Sequence, residues 1–191
     1  MNLLVLGPQG AGKGTQAKRI AADHTIPHIS TGDMFRAAIA AGTELGKRVE
    51  PILEAGELVP DELTVALIRE RLGEHDARDG FVLDGFPRNL TQAEVLDAML
   101  AEIGRGLDAI LYFELPEGVA VERMLKRARE EGRPDDKPDV IDRRLQVYRE
   151  QTLPVVEHYR ATGKLVPLHA GRTIDEVYSE IQGALEQLER I

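Results

Sequence analysis

Gly7-Pro8-Gln9-Gly10-Ala11-Gly12-Lys13-Gly14-Thr15 is the stretch that decides the reading of this chain. It follows the apolar run Leu3-Leu4-Val5-Leu6 and precedes a helix-like stretch over residues 16–22. Strand, glycine-rich turn, helix is the context in which such a loop cradles phosphate. Glycines let successive backbone N–H groups converge on an anion without Cβ clashes, and the helix that follows adds its positive end. Lys13 reaches the terminal phosphate oxygens as a point charge. The alternative, a turn that merely packs tightly, sits poorly with a GxxxxGK spacing in a βα context. One departure stands out. The residue after Lys13 is Gly14, and the hydroxyl is displaced to Thr15. A threonine ligand to magnesium therefore does not follow from the spacing alone.

The 191 residues suffice for one α/β domain with small insertions and a substantial core. A formal net charge of −9 argues against a nucleic-acid binder or a protein that docks on anionic membranes. No cysteine is present, which excludes disulfides, thiol catalysis and a Cys-ligated zinc site. The first apolar run ends at Gly7 and no stretch approaches spanning length, so a cytoplasmic chain without signal peptide or membrane span is expected.

Outward from the loop, apolar runs at residues 3–6, 81–83, 109–113 and 165–168 read as buried parallel strands, with a shorter candidate at 28–29. Helical patterns separate them, as expected of a parallel sheet covered on both faces. Thr173 and Glu176 form a capping box ahead of Ile174, Val177, Ile181, Leu185 and Leu188 at helical spacing. Residues 139–160 are periodic as well, and Pro154 should kink or split them. Two segments stand apart from the sheet. Residues 30–59 hold two helical patterns broken at Gly42 and Gly46, and read as an insertion off the core. Residues 127–137 are rich in glycine, proline and charge, and read as an exposed, mobile loop.

Asp84 closes the strand Phe81-Val82-Leu83 and opens Asp84-Gly85-Phe86-Pro87-Arg88. A carboxylate at the C-terminal edge of a parallel sheet lies where such sheets bind ligands, and beside a phosphate loop it suits a magnesium–water cluster. Arg36, Arg88, Arg123, Arg127, Arg133 and Arg144 lie near glycine-rich turns or flank the charged loop. Guanidinium groups clamp phosphates bidentately and stabilise the charge that spreads over oxygens in phosphoryl transfer.

Together these stretches resemble the signatures of the adenylate kinases. Gly7 to Gln16, then Ser30-Thr31-Gly32-Asp33-Met34-Phe35-Arg36, Asp84-Gly85-Phe86-Pro87-Arg88, and Arg123…Arg127…Gly132-Arg133-Pro134-Asp135-Asp136…Arg144 occur in the family's order. The short loop after Arg127 resembles the short-lid form. The resemblance implies one P-loop α/β three-layer sandwich over residues 1–191 with a five-stranded parallel sheet, a monophosphate-binding insertion at 30–59 and a lid at 127–137. It implies phosphoryl transfer between Mg-ATP and AMP to give two ADP, in a monomer with no zinc. Gly10, Ala11, Gly12, Lys13, Gly14 and Thr15 would hold the ATP phosphates, with Arg127 beside them, and Arg123 and Arg172 would border the adenine. Thr31, Arg36, Glu57, Leu58, Val59, Gly85, Phe86, Pro87, Arg88 and Gln92 would form the AMP site. Arg133 and Arg144 would bridge the reacting phosphates, and Asp84 and Asp33 would hold magnesium, largely through water. A pyrimidine monophosphate kinase shares much of this pattern; Thr31 and Gln92 favour adenine. A nucleotide-hydrolysing switch is the rival of a different class, and it has no use for Arg36 and Arg88 beside a second pocket.

Overall fold

A computed structural model describes residues 1–189. Among the described residues five strands form one parallel sheet in the order β2-β3-β1-β4-β5. These are β1 (Asn2–Leu6), β2 (His28–Ser30), β3 (Phe81–Asp84), β4 (Ala109–Glu114) and β5 (Leu165–His169). Every pairing is parallel; β1 lies between β3 and β4, with Val5 opposite Asp84 on one side and Leu111 on the other. The central strands are apolar except at their ends because helices cover both faces. Leu3, Val5, Val82, Leu111 and Phe113 face one core with α1 (Lys13–His24) and the last helix, α9 (Ile174–Glu189). Leu4, Leu6, Ile29, Phe81 and Leu83 face the other, with α4 (Asp61–Leu72), α5 (Leu90–Glu102) and α8 (Leu153–Arg160). The three-layer α/β sandwich expected from the sequence is present.

The short strand candidate extends one residue further than its apolar pattern, through Ser30. That residue accepts the Asp33 N–H and so caps α2 (Thr31–Ala40). The first border of the insertion is therefore a strand end. The capping box at α9 is formed as read: Glu176 N–H donates to Thr173 Oγ1, and Thr173 N–H donates back to Glu176 Oε2 at 2.9 Å. Pro154 does interrupt its helix. Between α7 (Pro138–Val147) and α8 the chain makes a single π-turn, Tyr148–Thr152, in which Leu153 N–H reaches back to Tyr148 O. A proline cannot donate to the carbonyl four residues before it and its ring crowds that carbonyl, and a wider turn relieves both.

Two expectations need correction. Gly42 ends α2 with a φ of 63°, but Gly46 does not break a helix; it lies inside α3 (Glu44–Glu54). Its role is close approach, since a Cβ there would come within 2.2 Å of Ala38 O. Residues 127–137 are not a single exposed loop either. α6 (Glu117–Glu131) carries Arg127 in its last turns, Gly132 ends it with a φ of 62°, and a 3-10 turn, Pro134–Asp136, follows. Asp135 and Asp136 in that turn are buried. Their charges are neutralised by Arg127 and Arg144, so burying them is tolerable.

Candidate functional site

β1 gives way to the glycine loop at Leu6. Gly7, Gly10 and Gly12 have φ of 147°, 81° and 83°, and a Cβ on Gly7 or Gly10 would meet Phe113 O at 2.7 Å or Ala120 O at 2.8 Å. The loop is thus pressed against the end of β4 and the start of α6, a path open only to glycine. Gly12 caps α1 without a side chain, which leaves first-turn N–H groups for an anion. Lys13 bends back over the loop and donates from Nζ to Gly7 O and Pro8 O, both at 2.8 Å. Burial pushes its ammonium down to about 8; the charge of Asp84 opposes that shift, and Arg88, Arg127 and Arg144 reinforce it.

Asp84 ends β3 and faces the first turn of α1: a Cβ on Gly14 would stand 3.5 Å from its Oδ2. His28 Nε2 lies 3.3 Å from the same oxygen. Burial raises the Asp84 carboxyl, but the His28 contact and the Lys13 charge outweigh it, so the group stays below the usual carboxylate range.

Two arginine-lined hollows meet here. One is lined by Thr31, Phe35, Arg36, Leu53, Gly56, Glu57, Leu58, Val59, Gly85, Gln92 and Asp135 together with Arg88 and Arg144. The other is lined by Gly10, Gly12, Lys13, Gly14, Thr15, Asp33, Asp84, Arg127 and Arg133, and it shares Gln9, Gly32, Arg36, Gly85, Arg88 and Arg144 with the first. Arginines therefore stand on the boundary between the two. Burial and, after it, the nearby Arg144 charge push Arg88 down to about 10, against the opposing charges of Asp84 and Asp135. Beyond the glycine loop a third hollow holds Ala11, Thr15, Arg123, Arg172 and Ile174.

The adenylate kinase family model matches residues 5–164. This chain belongs to the adenylate kinase family. It is 49% identical over 186 residues to the adenylate kinase of Caulobacter vibrioides strain NA1000, covering 97% of each chain. It is 50% identical over 186 residues to that of Thermobifida fusca strain YX, covering 97% of this chain and 98% of the relative. With the adenylate kinase of Synechococcus sp. strain RCC307 it shares 50% identity over 183 residues, covering 96% and 97%.

Most residues assigned to an adenylate kinase site by sequence line these hollows, but five sit differently from that reading. Phe86 is fully buried in the sheet core and lines none of the three, and Pro87 turns to a small cavity behind the glycine loop. Arg133 lies in the Lys13 hollow beside Glu131, at 2.6 Å, and not in the Thr31 hollow. Gln92 is largely committed within the protein: its Oε1 accepts from Arg88 N–H at 2.7 Å and its Nε2 donates to Asp61 Oδ1 at 2.8 Å. Asp33 is engaged by Arg36 at 2.7 Å, which leaves Asp84 as the freer carboxylate. Sequence reading assigned no role to Asp135 and Asp136, although both stood in a quoted stretch. Two acids between Arg127 and Arg144 were the available signal, and the hydrophilic setting hid their burial. Asp61, which holds both Gln92 and Asn89, had no signal at all.

Proposed function

We propose that the chain catalyses reversible transfer of the γ-phosphoryl group of Mg-ATP to AMP, giving two ADP. The observation that carries this reading is the pair of hollows sharing Arg36, Arg88 and Arg144 along their common edge. A phosphate chain entering past Lys13 and a monophosphate entering past Thr31 would meet at those three guanidinium groups. A switch that only hydrolyses nucleotide needs one such hollow.

In this reading the glycine loop holds the ATP phosphates by its N–H groups, and Lys13 exchanges Gly7 O and Pro8 O for phosphate oxygens. Arg123 and Arg172 border the donor adenine, and Arg127 and Arg133 close over the phosphates. Arg36 and Arg88 grip the acceptor phosphate, while Arg144 spans donor and acceptor. Thr31 donates its hydroxyl proton to Gly85 O at 2.9 Å, so its lone pairs remain to accept from an exocyclic amine of the acceptor base. No protein base is required, because the attacking oxygen of a monophosphate is already ionised near neutral pH. The residues do the work by alignment and by neutralising charge as it spreads.

Magnesium fits this donor set. The buried Asp84 carboxylate offers hard oxygen beside the loop, suited to a cation that keeps several of its waters. When bound with nucleotide, magnesium neutralises charge on the β- and γ-phosphate oxygens. Asp33 stands further out on the same hollow, and Thr15 also lines it. Zinc has no place in this reading, since the chain has no cysteine to supply thiolate ligands.

We also infer a cytoplasmic monomer. Among the described residues no helix is long and apolar enough to cross a membrane, and the exposed large hydrophobics stand at helix ends, Leu90 and Ile103 at opposite ends of α5, Leu153 at the start of α8 and Ile174 at the start of α9. The test of function is disproportionation. ADP and magnesium alone should yield ATP and AMP in equal amounts. Release of inorganic phosphate in their place would overturn the reading.

A further inference from the structure

Thr152 ends the π-turn and is buried. A threonine within a helix usually returns its hydroxyl to the carbonyl four residues before it. Thr64 in α4 does so, donating to Pro60 O at 3.3 Å. Thr152 does not. Its Oγ1 donates to the backbone carbonyl of Arg88 at 2.8 Å, in an element 64 residues away. The wide turn that Pro154 provokes is what sets this hydroxyl against the loop after β3.

Arg88 is thereby held on both sides of its own Cα. Its N–H donates to Gln92 Oε1 at 2.7 Å and its carbonyl accepts from Thr152. Its side chain is braced as well, Nε donating to Gly85 O at 2.9 Å. With Nε used, the two terminal guanidinium nitrogens are the ones presented to an anion. The same helical segment carries Arg144 on α7, one turn before the π-turn begins. One segment therefore supplies Arg144 directly and fixes the peptide of Arg88.

We propose that Thr152 is a positioning residue for the monophosphate clamp: its hydroxyl fixes the Arg88 peptide, and with it the angle at which the guanidinium meets the acceptor phosphate. The inference rests on the reading that Arg88 grips AMP. Loss of the hydroxyl leaves the Arg88 carbonyl without its donor and lets the loop rotate, so the cost falls on the acceptor and spares the donor.

The test compares Thr152→Val, Thr152→Ser and Arg88→Lys by calorimetric titration with AMP alone and with ATP alone, alongside steady-state KM for each. Thr152→Val should weaken AMP about tenfold, the worth of one well-made hydrogen bond, and leave ATP within about twofold. Thr152→Ser, which keeps the donor, should restore AMP binding. A residue needed only for packing would lower thermal stability and weaken both nucleotides alike, and serine, lacking the methyl, would not rescue it. If Thr152→Val is too unstable to titrate, Thr152→Ala at low temperature gives the same comparison. Equal weakening of ATP and AMP, or unchanged AMP binding in Thr152→Val while Arg88→Lys weakens it, overturns the inference. Unchanged AMP binding in Arg88→Lys as well would instead overturn the role given to Arg88.

Discussion

The ammonium of Lys13 donates to the carbonyl oxygen of Gly7 at 2.8 Å, so the lysine folds onto the loop that carries it. The charge is kept near the first turn of α1, and a bound phosphate chain has only to exchange a pair of carbonyl contacts for its own oxygens. Lys13→Met should cost on the order of a hundredfold or more in turnover, the scale of one preorganised charge on a transition state. The fold should not be weakened near neutral pH, because the side chain fills no core and burial disfavours its charge in the folded chain. Turnover close to wild type would contradict the assignment.

The same burial gives a pH signature. Lys13 lies at about 8 in the folded chain against 10.5 for the free group. The protonated, phosphate-binding form is therefore present below about 8 and is lost as pH rises through that value. kcat/KM for ATP, which reports the free enzyme, should fall above pH 8, whereas kcat should fall only at higher pH, since bound phosphates favour the charged form. The sign for folding is the reverse. Between about 8 and 10.5 the unfolded chain binds the extra proton, so this group's contribution to stability grows with pH there. A flat kcat/KM profile from pH 7 to 9.5 would contradict this picture.

Arg88→Lys conserves charge but removes the fork. Lysine has no counterpart to the Nε that donates to Gly85 O, and it cannot grip a phosphate bidentately. AMP affinity and turnover should both fall by about tenfold to a hundredfold, with ATP binding nearly unchanged. Equal weakening of the two nucleotides, measured by titration, would place Arg88 in the wrong hollow.

Much of this was legible in the sequence because it depends on local rules. The loop needs glycines at fixed places, the sheet needs apolar runs, and the α9 cap needs Thr173 and Glu176 three apart. What was not legible depends on which distant surfaces meet. Gly46 read as a breaker because glycine has no side chain to show that Ala38 O lies against it. Phe86 read as a site residue because it sits inside a functional stretch, yet its ring belongs to the core. Asp135 and Asp136 read as solvated charge because their arginine partners come from α6 and α7.

Gly46→Ala tests the first of these directly. The added methyl would stand 2.2 Å from Ala38 O, backbone that cannot step aside without moving α2. Destabilisation of about 1–3 kcal/mol, the usual cost of overpacking, is expected in thermal or denaturant unfolding, with AMP binding weakened as the α2–α3 pair shifts. A neutral substitution would show that the two helices are free to separate.

The α2–α3 insertion touches the 127–137 segment and α7 beyond it. Arg36 approaches Asp135 at 3.6 Å, Lys137 approaches Glu54 at 3.9 Å and Arg143 holds Glu57 at 2.6 Å. We expect these bridges to open in solution without nucleotide and to reform around a ligand joining two adenosines through a phosphate chain. Labels placed at Ala55 and Val166 should then draw together on binding. An unchanged separation with the ligand bound would mean that the clamp is preformed.

The central claim is transfer to AMP across a shared arginine edge, and acceptor choice tests it most directly. ADP formation is followed at saturating Mg-ATP with AMP, CMP, UMP or no acceptor. AMP should exceed CMP and UMP widely in turnover over Michaelis constant, because uracil brings no exocyclic amine to the Thr31 lone pairs and cytosine, a single ring, fills less of a pocket sized for a purine. Without an acceptor, ADP formation should be negligible. A higher value for CMP or UMP would make this a pyrimidine monophosphate kinase, and equal ADP formation with no acceptor would contradict phosphoryl transfer to a nucleotide altogether.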